Sequence, residues 1–289
     1  MRPISALLLL CLLASSAFAA DPDPLAAGRA AIEKREFEKA ASLLEKAIAA
    51  NPKNVEAHYL LGTVYGAQAQ SAGMLKQASL AKKVKAEFEA AVALDPNHIN
   101  ARQGLVDYYT IAPGFMGGSI EKALAQAAEI KKRDALKGHH AYARIYAREK
   151  KIDLARKELV TAVREQPNNP RAHQALGMFL LNTDKNHTGA LHEFEMALKL
   201  DPAYMPAHLR IGQVAAVSGT DFARGEAFIK KYLAYKPTDE EPPVALAWYW
   251  LGMLYEKQGR KADAKQSFTN ALKLVPEDKN IKEALKRVS

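Results

Sequence analysis

The clearest alternation of hydrophobic and polar positions lies near the C-terminus of the chain. Trp248, Leu251 and Tyr255 are three and four positions apart, which places them on one face of an α-helix. After a polar break, a second apolar pattern around Phe268 ends at Pro276, a residue that stops helices. The pattern therefore predicts two helices that pack against each other through their apolar faces.

The spacing of these residues is W-x2-L-G-x2-Y, then A-x3-F, then P, all within residues 245–278. It resembles the signature of the tetratricopeptide repeat. The resemblance implies an all-α fold, a right-handed superhelical solenoid of antiparallel helix pairs that binds other proteins. Gly252 and Ala264 occupy the small slots of the motif, where the two helix backbones approach each other most closely.

Other segments fit the same pattern less completely, so about seven helix pairs are predicted. The units span residues of about 21–54, 55–98, 99–135, 136–169, 170–203, 204–237 and 245–278. Residues 279–289 are predicted to form an amphipathic capping helix in which Ile281, Leu285 and Val288 cover the last apolar face. The solenoid is expected to occupy residues 20–289.

Three consecutive units depart from the regular pattern. The interval from Tyr65 to Phe88 is ten residues longer than that from Tyr255 to Phe268, which predicts two lengthened helices with projecting tips. The third unit is interrupted by a proline- and glycine-rich loop at 113–118. With the arginines of the fourth unit, described below, these departures favour a functional region in the N-terminal half.

Three further features concern two apolar residues of the glycine loop, one tyrosine and a linker. Phe115 and Met116 are apolar residues of the glycine loop, and they either contact a partner or fold back onto the adjacent helices. Tyr232 occupies a slot that normally holds alanine, so its helix pair is expected to separate slightly or to reorient the ring. Residues 238–243 form a short polar linker with two prolines.

The N-terminus has the features of a secretory signal peptide. The apolar run Ile4–Leu13 follows a positive start, and Ala17-Phe18-Ala19 is an A-x-A cleavage site. Residues 1–19 are therefore expected to be removed, leaving a periplasmic or secreted protein. Lipidation at Cys11, the only cysteine, is disfavoured because a leucine precedes it. The mature chain would have no thiol chemistry.

The chain is basic, with 41 lysines and arginines, 32 acidic residues and a formal net charge of +9. Such a surface attracts nucleic acid, acidic protein or anionic lipid. The lysines are scattered along helical segments, however, which favours an ordinary solvated surface. No nucleic-acid motif is present. After the signal peptide, no apolar run is long enough to span a bilayer. The expected partner is a protein or a peptide, and it could be acidic.

The sequence contains no recognised motif for catalysis or for metal binding. His58, His139, His173 and His208 recur at one repeat position, which predicts a packing role. The chain carries none of the common hydrolase, metalloprotease or nucleotide-binding motifs. No catalytic residue, metal or cofactor is predicted, and the protein is expected not to be an enzyme; an active site assembled from distant residues is the alternative.

The family resemblance implies that the first helix of each unit lines the concave face. The slots that would face a bound segment hold Tyr59, Thr63, Gln103, Asp107, His140, Arg144, Arg148 and Gln174, followed by Met178, Leu209, Gln213, Tyr249 and Met253. The asparagine slot of the carboxylate clamp found in chaperone-binding members holds Thr63, Asp107, Arg144 and Met178 instead. That subclass is disfavoured.

His140, Arg144 and Arg148 lie four positions apart and form one stripe on a helix. Their guanidinium groups suit a carboxylate or phosphate ligand, unless each pairs with an acidic neighbour such as Asp107. The predicted function is an exported scaffold that binds peptide segments or assembles envelope proteins. The alternatives are an accessory subunit or weak enzyme acting on an envelope polymer, and a binder of anionic surfaces. The sequence does not specify the oligomeric state.

Overall fold

The computed structural model of the chain describes residues 23–238 and 241–289. In these residues every regular element is helical: fifteen α-helices and one short 3-10 turn, with no β-strand. The predicted all-α fold is confirmed. The chain forms two compact units, divided after Ala101. The predicted signal peptide at 1–19 lies outside the described residues, and the unit boundaries stay predictions.

Unit 1 consists of two helix pairs and the beginning of a fifth helix. Its helices are α1 (Pro24–Glu33), α2 (Phe37–Ala50), α3 (Val55–Ser71), α4 (Met74–Leu94) and the start of α5 (Ile99–Ile111). The α3–α4 pair is long, with 17 and 21 residues, as the extended interval predicted. At its tip the side chains of Met74 and Leu75 are 85% and 90% exposed.

Unit 2 continues the pattern through ten further helices. They are α6 (Ile120–Arg133), α7 (Ala135–Arg148), α8 (Ile152–Glu165), α9 (Pro170–Asn182), α10 (His187–Leu200), α11 (Met205–Ser218), α12 (Phe222–Leu233), α13 (Val244–Lys257), α14 (Lys261–Leu274) and α15 (Lys279–Arg287). Each of them packs on the next in sequence. This is the order of a solenoid, in which every helix pair buries its apolar face on its neighbours.

Close helix approach depends on glycine beside a buried ring. A Cβ atom on Gly252 would lie 2.5 Å from the Phe268 ring, and one on Gly177 would lie 2.6 Å from the Phe194 ring. Both rings are fully buried. The absence of a Cβ therefore lets each phenylalanine of a second helix pack directly on the backbone of the first helix, as the small and aromatic slots predicted.

The recurrent histidines are buried within the helix pairs, and three of the four bond the turn before their helix, which confirms their packing role. His173 lies with Nε2 3.0 Å from the Pro167 carbonyl oxygen and Nδ1 2.7 Å from a Glu193 carboxylate oxygen. The other three positions are also buried and bonded: His58 to Pro52 and Glu87, His139 to Glu158 and Glu165, and His208 to Pro202 and Lys231. Apart from Nδ1 of His208, which has no partner in the described residues, their ring nitrogens bond groups of the preceding turn or of the second helix.

The glycine loop and the C-terminal helix also agree with the sequence predictions. The loop after α5 contains the 3-10 turn Gly114–Met116, and the Ser119 side chain caps α6 by accepting a hydrogen bond from the Lys122 amide. At the C-terminus, α15 buries Ile281 and Val288 against the last helix pair. The capping helix is confirmed.

Tyr232 holds the linker between α12 and α13. Its ring is fully buried, and its hydroxyl donates a hydrogen bond of 2.5 Å to the Pro242 carbonyl oxygen. Tyr235 donates one of 2.9 Å to the Glu241 carboxylate, which also accepts from the Thr238 amide and hydroxyl. The ring in the alanine slot therefore fixes the position of the linker, a consequence that the repeat pattern does not predict.

Candidate functional site

Three successive first helices of unit 2 contain no acidic residue. The sequences of α7, α9 and α11 are ALKGHHAYARIYAR, PRAHQALGMFLLN and MPAHLRIGQVAAVS. Their charged residues are Lys137, Arg144, Arg148, Arg171 and Arg210. The helical acidic residues of these pairs lie on the second helices: Asp153, Glu158, Glu165, Glu193, Glu195 and Glu226. Further acidic residues, such as Asp134 and Glu241, lie in the segments that connect the helices. We call α7, α9 and α11 the acid-free helices.

The arginine stripe of α7 is only partly neutralised. Arg144 forms an ion pair with Asp107 of α5, and both side chains are largely exposed. This contact is the paired alternative that the sequence left open. Arg148 is exposed, and it forms no ion pair within the described part of the chain. One guanidinium of the predicted stripe therefore remains available to a ligand.

A pocket of about 210 Å³ lies beside the acid-free helices. It is lined by His140, Arg171, Gln174, Ala175, Tyr204, Pro206, Glu241 and Pro242. The Tyr204 hydroxyl donates a hydrogen bond to the Gln174 side-chain oxygen. The side-chain amide nitrogen of Gln174 takes no part in that bond. The linker held by Tyr232 contributes one wall. The pocket thus combines side chains from α7, α9, the start of α11 and the linker.

His140 is the most deeply placed titratable group of this pocket. Its Nε2 atom is buried and has no hydrogen-bond partner in the described residues. Burial lowers the pKa of His140 to about 4; His139 and Arg144 act in the same direction, and Asp134 opposes them. His140 is therefore an uncharged imidazole at neutral pH, and one of its nitrogens faces an unmet hydrogen bond.

Arg210 of α11 is half-buried and has no carboxylate partner among the described residues. One terminal nitrogen donates to the Gln213 side-chain oxygen at 2.8 Å, whereas Nε is buried without a partner. Burial lowers the pKa of Arg210, and the nearby Tyr232 and Tyr204 hydroxyls oppose the shift. Within the described residues, the buried Nε of Arg210 is therefore an unmet hydrogen-bond donor.

The structure brings some of the predicted groove residues together and separates others. His140 and Gln174 share the pocket, and Asp107 pairs with Arg144. Gln103 is half-buried on α5. The assignment of Leu209 and Gln213 to an open groove is wrong, because both side chains are buried. In those slots of α11 the side chains pack inward.

The remaining predicted contact residues lie outside the pocket. In unit 1, Tyr59 packs against the rings of Phe88 and His98, and the exposed Thr63 hydroxyl donates to the Tyr59 carbonyl. In unit 2, Phe115 is 90% exposed. Met116 is half-buried, and its carbonyl accepts a hydrogen bond from the Tyr108 hydroxyl.

Sequence reasoning missed Arg171, Tyr204, Glu241 and Pro242. The available signal was the length of the segment between α12 and α13, residues 234–243. Other successive repeats are connected by shorter turns, such as residues 51–54 between α2 and α3. In the described ranges, no group of three metal-ligating side chains is present, and no helix is long and apolar enough to cross a bilayer.

Comparison with known families agrees with this geometry. Two models described as tetratricopeptide repeat match the sequence, one over residues 245–278 and the other over residues 25–70 and 140–204. The chain is a tetratricopeptide repeat protein. The resemblance based on residues 245–278 is confirmed.

Two solved structures illustrate the match over almost the whole chain. A tetratricopeptide repeat protein from Parabacteroides merdae is 18% identical with a TM-score of 0.57, covering 92% of this chain and 97% of its own. The human IFIT1 dimer with m7Gppp-AAAA is 18% identical with a TM-score of 0.56, covering 91% of this chain but 61% of IFIT1. At these identities the similarity establishes the fold of this repeat protein and nothing finer.

The buried imidazole should make stability depend on pH. The pKa of His140 in the folded protein, about 4, lies below its ordinary value of 6.5. The unfolded chain therefore binds a proton that the folded chain does not, and the free energy of unfolding should fall as pH drops from 6.5 towards 4. The loss is at most about 3 kcal/mol, because one pKa unit corresponds to about 1.4 kcal/mol.

Urea unfolding of the wild type and of His140→Gln, each at neutral and at acidic pH, checks this expectation. The variant should lose less stability than the wild type over the same interval, since only the imidazole is removed. Equal losses in the two proteins would show that His140 does not titrate in the way described.

Proposed function

We propose that this tetratricopeptide repeat protein is an exported, non-enzymatic scaffold that binds acidic peptide segments of envelope proteins on its acid-free helices. The observation that carries the proposal is the absence of acidic residues from three successive first helices. Tetratricopeptide repeats commonly act as protein-binding scaffolds, so a peptide partner fits the family.

Two features of individual residues support an acidic partner. Arg148 is exposed, Arg210 is half-buried with a buried Nε atom, and neither forms an ion pair with a described residue. A bound acidic segment would supply the missing counter-charge at both places. Complementary charge also raises the rate at which two partners associate. The helical acidic residues of these pairs sit on α8, α10 and α12, whereas Asp107 of α5 and Glu241 of the linker lie beside the surface that we assign to binding.

Export is supported by residues 1–19, which have the organisation of a signal peptide. Removal of these residues would leave Ala20 as the first residue of the mature protein. The mass of the protein recovered from the cell envelope or medium tests this part of the proposal. A protein that retains Met1 in the cytoplasm would contradict export.

Photo-cross-linking in intact cells tests the scaffold itself. A photoreactive residue in place of Met178, on α9, should capture envelope proteins through segments rich in aspartate and glutamate. The matched control places the same residue at His192, an exposed position on α10. Equal capture from the two positions, or capture of segments without acidic residues, would contradict the proposed binding surface.

A further inference from the structure

The arrangement of side chains around the pocket identifies a ligand more specific than an acidic segment in general. We infer that the pocket between α7, α9 and the linker takes one carboxylate group of the bound segment, held by His140, Arg171 and Gln174. This inference rests on the proposed function, because the pocket opens beside the acid-free helices. It adds a specificity-determining site to a surface that otherwise selects only by charge.

Three hydrogen-bond donors of this pocket are suited to one acceptor. The unpartnered Nε2 of His140 is an uncharged donor when it carries the imidazole proton. The side-chain oxygen of Gln174 is occupied by the Tyr204 hydroxyl, so its amide N–H groups serve the pocket. Arg171 contributes a guanidinium from the first turn of α9. An ionised carboxylate accepts hydrogen bonds only, which matches this set of donors.

The shape of the pocket favours a carboxylate on a short apolar stem. Ala175, Pro206 and Pro242 line the pocket with carbon atoms, and they would contact the methylene groups of a glutamate side chain. The volume of about 210 Å³ accommodates such a side chain together with bound water. A chain-terminal carboxylate has the same chemistry and is the second source to be distinguished.

Glu241 distinguishes a carboxylate from a phosphate ligand. Burial acts to raise the pKa of Glu241, but hydrogen bonds from Thr238 and Tyr235 outweigh burial, and the net effect is a lowered pKa. Glu241 therefore remains charged in the pocket wall. A ligand with a single negative charge is repelled less by this wall than a phosphate carrying nearly two. The charge of this wall thus favours a carboxylate over a phosphate monoester.

The linker makes the pocket a built feature of the fold. Two tyrosine hydroxyls bond Pro242 and Glu241 directly, and Tyr232 lies fully buried between the helices. Glu241 and Pro242 are consequently held in place before a ligand arrives, which reduces the entropy lost on binding. Tyr232→Phe keeps the ring and removes one of these bonds, so it should loosen the wall without emptying the core.

The test uses small blocked probes and the mature chain. N-acetyl-glutamate α-amide carries a side-chain carboxylate, N-acetyl-glutamine α-amide is its neutral match, and N-acetyl-alanine carries only a terminal carboxylate. Proton–nitrogen correlation spectra of the histidine rings report binding, with the His140 signals assigned by His140→Gln. The glutamate probe should shift the His140 signals and bind about tenfold more tightly than the glutamine probe.

Variants locate the effect and separate the two sources of carboxylate. Gln174→Leu should weaken the glutamate probe about tenfold, because it removes a donor at nearly constant volume. Arg164→Gln, an exposed substitution on α8, should leave binding unchanged. Tighter binding of N-acetyl-alanine than of the glutamate probe would assign the pocket to a chain terminus and still support a carboxylate site.

Three results would overturn the inference. They are His140 signals that no carboxylate probe shifts, equal affinity for the glutamate and glutamine probes, and a shift produced by short oligoadenylate alone. Partner capture from position 178 separates the two proposals. Capture that survives while every probe fails would remove the pocket and keep the scaffold. Probe binding without any captured partner would keep the pocket and remove the scaffold.

Discussion

Gly138→Ala is expected to lower the free energy of unfolding by about 1–3 kcal/mol, although alanine is the better helix former. A Cβ atom on Gly138 in α7 would lie 2.3 Å from the Lys131 Cα atom and 2.7 Å from the Lys131 amide nitrogen in α6. A backbone cannot move aside as a side-chain rotamer can. The two helices would have to separate and would lose contact along their length.

Gly66→Ala is the matched control for this substitution. Gly66 lies within α3, and a Cβ atom there would meet no atom within 4 Å. The same chemical change should therefore stabilise the protein by about 0.5–1 kcal/mol through helix propensity alone. Urea unfolding monitored by circular dichroism gives both values. A Gly138→Ala variant that is also stabilised would contradict the close packing of α6 and α7.

The helix pairs were predictable because the residues that define them act over short distances. Gly252 and Phe268 meet within one pair, and their spacing in sequence reflects that contact directly. The same holds for His173, which bonds the turn before its helix and a glutamate of the next helix. A given position of the motif therefore has the same structural role in each repeat, and several such positions together identify the fold.

Contacts between neighbouring repeats were harder to predict from the sequence. Gly138 stands outside the small slots of the motif, because its partner Lys131 belongs to the preceding unit. The paired state of Arg144 likewise depends on Asp107, one unit earlier. The repeat motif describes positions within a single repeat. It does not say which side chains of two neighbouring repeats are in contact.

The pocket could be predicted only in part. His140 and Gln174 follow from the groove slots, whereas Glu241 and Pro242 belong to a linker that no repeat position describes. Tyr232 departs from its slot for a reason outside its own helix pair, since its hydroxyl anchors that linker. The sequence departures in the second to fourth units pointed to the N-terminal half. The pocket instead draws most of its lining from the fifth and sixth units and the linker.

Arg144→Gln with Arg148→Glu should weaken binding of an acidic partner about tenfold or more, chiefly by slowing association. The double variant lowers the charge of the exposed stripe of α7 by three, because it removes two arginines and adds one glutamate. Arg144 and Asp107 are both exposed, so the loss of their ion pair should change stability by less than about 1 kcal/mol. Folding and binding are thereby separated. Surface plasmon resonance against the captured partner at two salt concentrations measures the effect.

Lys157→Gln with Arg164→Glu is the control of equal charge on the second helix α8. Both side chains are exposed there, and neither forms an ion pair in the described residues. The control changes net charge as much as the first variant does, so it tests whether the total charge or the α7 stripe matters. Equal weakening by the two variants would favour non-specific attraction to a basic surface over the proposed binding site.

Amide hydrogen exchange of the mature protein, with and without its captured partner, tests the central claim most directly. Binding on the acid-free helices should slow exchange in α7, α9 and α11, together with the linker that walls the pocket. The second helices α8, α10 and α12 should exchange at unchanged rates. Protection confined to the second helices, or absent from α7, α9 and α11, would contradict the account.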